Sequence, residues 1–319
     1  MDFDVTLLFP AFRCTGNEAE RLVLGVAVDP LSALCFIAEE KGYFTGQGLD
    51  IQIKRYRSGK LALNGLFRGE TDVVTVSEIP IVLSSFAHPN MRILATIGRH
   101  DSDGTIIARG DKGIASAQDL PGKAIAVQRD SAMHYFLYLF LLKNGLAQKD
   151  VTIVFEDPDG MMAALTSGRI DVLVTREPFL SKTGELLGNT MVVLKEPYLY
   201  TRMHELVTTD EFLKGNEVAT LKLLRALLKA EEYVKKNTAD SIAIIAKHLE
   251  MPRKPIADGW DAMWLRLSLT QRLLLAMEDE TLWAIKGRLV EASNIPDYLP
   301  IFSPGLLQTL KPFAITVVK

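Results

Sequence analysis

A chain of 319 residues that is 48% hydrophobic and 24% charged has the apolar content for a sizeable core and room for about two domains. Its formal net charge of -3 argues against nucleic acid or an anionic membrane surface as partner. Two cysteines, Cys14 and Cys35, are too few for a disulfide framework, and histidines at 88, 100, 134, 204 and 248 never place two on one helix face, so neither a metal site nor a cofactor is expected.

Residues 1–21, MDFDVTLLFPAFRCTGNEAER, read as an N-terminal extension or an atypical export or anchor segment. The apolar piece is short, broken by Pro10 and preceded by aspartates rather than a basic region, which makes a poor secretory signal. Phe12 and Arg13 before Cys14 disfavour lipidation there. No transmembrane helix is expected, because the longest apolar run, YFLYLFLL, is far short of the roughly 20 residues that span a bilayer.

From Arg21 the pattern alternates. LVLGVAV predicts a buried strand, and LSALCFIAEEKGY a helix with Leu31, Leu34, Cys35 and Ala38 on its apolar face. LDIQIKRY then alternates as a half-buried strand. The intervening GYFTGQG is a helix-to-strand turn and not a phosphate loop, since a dinucleotide loop follows a strand and opens a helix, and Ile51 stands where its third glycine belongs. A helix over KLALNGLFRGE, strand DVVTV, helix EIPIVLSSFA and strands MRILATIG and GTIIAR follow. Strand and helix at this spacing argue for parallel-sheet α/β architecture.

The pattern then restarts. KAIAV, VTIVFE and DVLVT predict strands, separated by helices over SAMHYFLYLFLLKNGL and DGMMAALTSGRI and followed by one over EPFLSKTGELL. RGETDVVTVSEIP and SGRIDVLVTREPF match as helix end, strand and helix start, and VDPLSA and VQRDSA echo each other ahead of them. Two lobes are therefore expected, 22–106 plus 205–319 and 107–204, joined by two crossings that make a hinge. After a short strand at HELVTTD the tail is helical, with helices over EVATLKLLRALLKAEEYVKK, TADSIAIIAKHL and DETLWAIKGRLVEAS. In DGWDAMWLRL the tryptophans four apart fit one buried helix face or a lid. Tyr198, Tyr200, Trp260 and Trp264 could stack on a flat ligand or pack in the core.

No nucleophile elbow or Walker loop occurs, so no enzyme is expected. Helix starts at the carboxyl ends of parallel strands offer amides and a positive dipole end to an anionic group. They are Asp29–Ser32, Ser58–Lys60 and Ser77–Pro80 in the first lobe, and Gln128–Ala132, Asp157–Met161 and Thr175–Phe179 in the second. Arg129 and Arg176 could clamp an oxyanion, while Asp29, Ser77 and Thr175 read equally as helix caps. Glu78 or Glu177, if facing the cleft, would call for an amine or ring N–H on the solute.

The stretches LSALCFIAEEKGYFTGQGLDIQI, LFRGETDVVTVSE, DLPGKAIAV, LTSGRIDVLVTREPF and the ending LKPFAITVVK, in that order, resemble the solute-binding proteins of nitrate, sulfonate, taurine and hydroxymethylpyrimidine ABC importers. The resemblance implies a type II periplasmic-binding-protein fold, each lobe a mostly parallel sheet flanked by helices, with a helical C-terminal tail. It implies a monomer, periplasmic or anchored on the outer face of the inner membrane, that closes on a small-molecule solute and delivers it to a permease. Carried over, the site comprises Asp29, Ser32, Ser58, Ser77 and Glu78 from one lobe and Arg129, Asp130, Ser131, Arg176 and Glu177 from the other. The alternatives are an enzyme on the same fold, with Glu78, Glu177 and His134 as the nearby acids and bases, and a ligand-sensing module. With only Cys14 and Cys35, the chain departs from the pyrimidine-synthase relatives, which carry a cysteine-rich motif.

Overall fold

The computed structural model describes residues 19–318; the readings made for residues 1–18, Cys14 among them, lie outside it. Strands β1 (Glu20–Ala27), β2 (Leu49–Tyr56), β3 (Val73–Ser77) and β4 (Met91–His100) alternate with helices α1 (Ala33–Glu40), α2 (Gly59–Phe67) and α3 (Glu78–Ser85). The chain then crosses through 101–104 into β5 (Thr105–Arg109), β6 (Ala124–Val127), α4 (Ala132–Lys143), β7 (Thr152–Phe155), α5 (Pro158–Thr166), β8 (Val172–Thr175), α6 (Phe179–Leu187) and β9 (Met191–Leu194). It returns through 195–201 to β10 (Arg202–Thr209) and the tail: α7 (Asp210–Gly215), α8 (Glu217–Lys236), α9 (Thr238–Leu249), α10 (Arg253–Asp258), β11 (Met263–Trp264), α11 (Gln271–Lys286) and α12 (Gly305–Leu310).

Two sheets result, ordered β11-β4-β10-β3-β1-β2 and β7-β6-β8-β5-β9. In each, four strands share one direction and the strand that follows a crossing runs against them: β10 is antiparallel to β3 and β4, and β5 to β8 and β9. Because β1, β3, β6 and β8 lie inside their sheets, they read as nearly continuous valine, leucine and isoleucine runs. The helix-to-strand turn is as expected: Gly42 and Gly48 sit at φ of 66° and 71°, a region that costs other residues a Cβ clash, and β2 follows at Leu49. Cys35 is wholly buried in the first core.

Several features depart from the sequence reading, among them the helix read over DETLWAIKGRLVEAS, which runs instead from Gln271 to Lys286. MVVL forms the edge strand β9, which no flanking pattern announced. HELVTTD begins earlier, at Arg202, and forms an eight-residue inner strand instead of a short one. Trp260 and Trp264 do not share a helix face: Trp260 opens a short 3-10 turn, and Trp264 lies on β11 with 42% of its surface exposed. Gly259 ends α10 and the following residues pair with the end of β4, so tertiary pairing overrides the helical spacing.

The lobes share apolar contacts. Trp283 of α11 and Ile79 of α3 are buried in the second lobe's main core with Phe136 and Leu137. There the Trp283 ring meets His134 and Tyr135 edge-on, with centroids 5.2 and 5.1 Å apart. Among the described residues no helix is long and apolar enough to cross a membrane.

Candidate functional site

The carboxyl ends of β1, β2 and β3 face those of β6, β7 and β8, and between them lies a cavity of about 40 Å³. Ser58, Lys60 and Ser77 line it from the first lobe, and Gln128, Ser131, Thr175 and Arg176 from the second. Met133, Met161, Val174 and Phe179 supply an apolar wall. The lobes are drawn together over it. Gln128 Nε2 donates to Ser58 Oγ at 2.9 Å and to Asp157 Oδ1 at 3.2 Å. Lys60 Nζ donates to the Arg129 carbonyl at 2.8 Å and pairs with Asp130 at 3.2 Å. Nearer the rim, Arg57 pairs with Asp159 at 3.0 Å.

Beside the cavity sits a buried charge network. Asp29 Oδ1 caps the turn of Pro30–Ser32 by accepting from Leu31 N at 2.9 Å. Its carboxylate takes both Nη atoms of Arg202, at 2.8 and 3.1 Å, and Nη2 of Arg176 from the opposite lobe at 2.8 Å. Arg202 in turn binds Asp103, through Nε at 2.9 Å. Burial alone would raise the Asp29 carboxyl, but Arg176 and Arg202 more than offset it and hold the group well below the ordinary carboxylate range. His204 is pushed down to about 3 by burial, reinforced by the arginines, and stays neutral. Its Nε2 lies 3.2 Å from Ser32 Oγ, which also bonds Thr75 at 3.0 Å.

These contacts sort the sequence-derived residues. Ser58, Ser77, Ser131 and Arg176 line the cavity together. Ser58 and Ser131 also cap their helices, accepting from Leu61 N and His134 N, both at 3.3 Å. Ser77 makes no capping bond, so its hydroxyl is uncommitted at the start of α3. Asp29 and Ser32 lie beneath the site, fully buried and bonded to protein. Arg129 is exposed and stacks over Phe155, 3.8 Å from the ring centroid, while Asp130 holds Lys60. Glu177 is turned away from the cavity: Ser181 N and Oγ donate to it at 3.0 and 2.9 Å, and it lines a separate groove with Lys195 and Tyr198.

Glu78 is fully buried and points to the hinge rather than the cavity, accepting from the Tyr200 hydroxyl and from Met203 N at 3.2 Å. Burial raises it to about 7. Glu205 and Glu280, also buried, are raised well above the ordinary range, first by burial and then by Glu78. Burial likewise lowers His134 to about 4, so it is neutral and wedged between aromatic rings. Sequence reasoning did not single out Arg202. The signal was present, as the titratable Arg202, His204 and Glu205 interleaved with the apolar Met203, Leu206 and Val207, a pattern that becomes a buried ion network only where partners from other elements converge.

A family model described as NMT1/THI5 like matches residues 29–241. A protein of Bacillus subtilis (strain 168), provisionally named an aliphatic sulfonates-binding protein, is 24% identical over 266 residues, covering 79% of each chain. The structure of the alkanesulfonate-binding protein SsuA from Xanthomonas axonopodis pv. citri, bound to MOPS, superposes with a TM-score of 0.76 at 17% identity, over 90% of this chain and 99% of that one. The desulfurization enzyme DSZB superposes at 0.65 and 16% identity, over 91% of this chain and 98% of that one. The two sheets with their flanking helices thus form the periplasmic-binding-protein fold, and with two thirds of its length matched by the family model, the chain belongs to the NMT1/THI5 like family.

Proposed function

We propose that this protein is the solute-binding component of an ABC importer, capturing a small organic solute with an oxyanion head between its lobes and presenting it to a permease. The observation that carries the reading is the amphiphilic cavity itself. The lining divides chemically: Ser77, Ser58, Thr175 and Arg176 offer polar groups, and Met133, Met161 and Phe179 apolar surface. That division suits a sulfonate or taurine-like solute, whose head accepts several hydrogen bonds while its carbon stem is apolar. The sulfonate names of the Bacillus and Xanthomonas proteins support the same class. At about 40 Å³ the cavity belongs to a closed form, so the lobes, one built on the sheet of β1–β4, β10 and β11 and the other on that of β5–β9, part about the two crossings to admit the solute. The protein works as a monomer on the outer side of the inner membrane and performs no chemistry, a reading supported by Asp29 and Asp130 being held in ion pairs and Asp157 being hydrogen-bonded by Gln128.

A thermal-shift screen of protein stripped of solute, against alkanesulfonates, taurine, nitrate and pyrimidines, tests the proposal. A true solute at 100 times its Kd stabilises by about 2.7 kcal/mol, a shift of a few degrees, and is recovered unchanged. Because the fold also carries a desulfurization enzyme, the solute is assayed after incubation. Its consumption, with loss of sulfite or another fragment, would replace the transport reading with an enzymatic one.

A further inference from the structure

A second cavity, of about 250 Å³, opens on the first lobe away from the interlobe cleft, where the end of β4 meets β11 and the start of α11. Three arginines converge on it, Arg99, Arg266 and Arg272, with Trp264 among them. The Arg99 and Arg266 guanidinium carbons lie 4.6 and 5.1 Å from the Trp264 ring centroid. Among the described residues none of the three arginines has a carboxylate within the 4.0 Å of an ion pair. Arg99 Nε is buried and has no hydrogen-bond partner, a state that natural structures rarely leave unexplained.

Around the arginines stand the hydroxyl residues Ser268, Thr270 and Thr316. Thr270, the N-cap of the 16-residue α11, lines the cavity and makes no capping bond, while Gln271 N donates to Thr316 Oγ1 at 3.4 Å. The charges facing Arg99 are Arg266 and Arg272, which repel it, and Asp101, which attracts it; burial and the two arginines together lower its pKa. Three like charges held this close, with no carboxylate at ion-pair distance and Asp101 alone facing them, favour an anion that bridges them.

We propose that this cavity is a second binding site, for a small molecule carrying a phosphate group, held by Arg99, Arg266 and Arg272 with Trp264 as a platform. The guanidinium forks match a tetrahedral oxyanion bidentately. On this measure a water needs only about 10–15 Å³, so about 250 Å³ exceeds what a bare phosphate fills and leaves room for an attached organic group. Met203, at the start of β10 where the chain re-enters the first lobe, also lines the site.

Calorimetric titration of the full chain with inorganic phosphate, paralleled by tryptophan emission, tests this. The expected result is saturable binding whose affinity falls with added salt, weakened about tenfold or more in the Arg266→Gln/Arg272→Gln double variant. Both side chains are exposed, so that variant keeps the wild-type melting curve and its cleft affinity. Trp264→Phe removes the emission change, and Arg176→Gln in the cleft leaves phosphate binding intact. Absence of saturable binding, equal affinity in the double variant, or loss on changing Arg176 alone would each overturn the proposal. The last outcome would place the phosphate in the cleft.

Discussion

At Asp29 one carboxylate is shared by two guanidinium groups from opposite lobes, so its partners differ in what they hold. Arg202 belongs to the same lobe and is fully buried, and removing it strands a buried carboxylate. Arg202→Met is therefore expected to cost about 3–5 kcal/mol of stability by denaturant titration; a loss under 1 kcal/mol would refute the network's structural role. Arg176 bridges the lobes, so Arg176→Met is expected to weaken solute binding more than it weakens folding. The buried acids set a pH dependence of definite sign. Glu78, at 4.5 when free and about 7 when folded, holds its proton more tightly in the native state. Its contribution is complete below pH 4.5 and is lost as pH climbs through 7, on the order of 3 kcal/mol for one such group. Glu205→Gln removes a neighbour that shares this behaviour, so relative to wild type the variant gains stability as pH rises from 5 to 8. A parallel pair of pH profiles would sink the assignment. None of this is legible in single residues of the sequence, because Glu78 reads as a helix-start acid until β10 and α11 bring two more glutamates to it.

Among elements, the parallel units were the most readable, since a buried central strand must be apolar on both faces and its helix must begin at the cleft end. The edge pieces β9 and β11 were not: with four and two residues they carry no period of their own and exist because a longer strand offers an unpaired edge. At the start of α2, Gly59 shows how tightly an element seats the site. A Cβ there would come within 2.8 Å of the Val76 backbone, one residue from Ser77. Gly59→Ala is expected to destabilise by about 1–3 kcal/mol and to move Ser58 relative to Ser77, lowering solute affinity as well as the melting temperature. Unchanged affinity would show that the two helix starts act independently.

Across the whole molecule, closure is a balance between interlobe contacts and the desolvation of a polar cleft. Lys60 ties the lobes through the Arg129 carbonyl and Asp130 while remaining partly exposed. Lys60→Met is thus expected to reduce affinity only a few-fold, about 1 kcal/mol or less, through a faster off-rate measured by stopped-flow. A hundredfold loss would mean that Lys60 touches the solute itself. The lobe pattern was visible in the sequence as an internal echo, whereas the sharing of core between lobes was not. Trp283 and Ile79 read as ordinary apolar positions of their own helices, and only the packing assigns them to the second lobe's core.

The proposed site of solute capture is the cavity between the lobes. Its most direct test is calorimetric titration of solute-stripped protein with a short alkanesulfonate and with taurine, beside the Ala132→Trp variant, whose new ring would fill the cavity that Ala132 lines. Saturation near one solute per chain in the wild type, abolished in the filled variant with its fold intact, is the expected result. Equal binding by the filled variant, or no saturable heat from either solute, would contradict it.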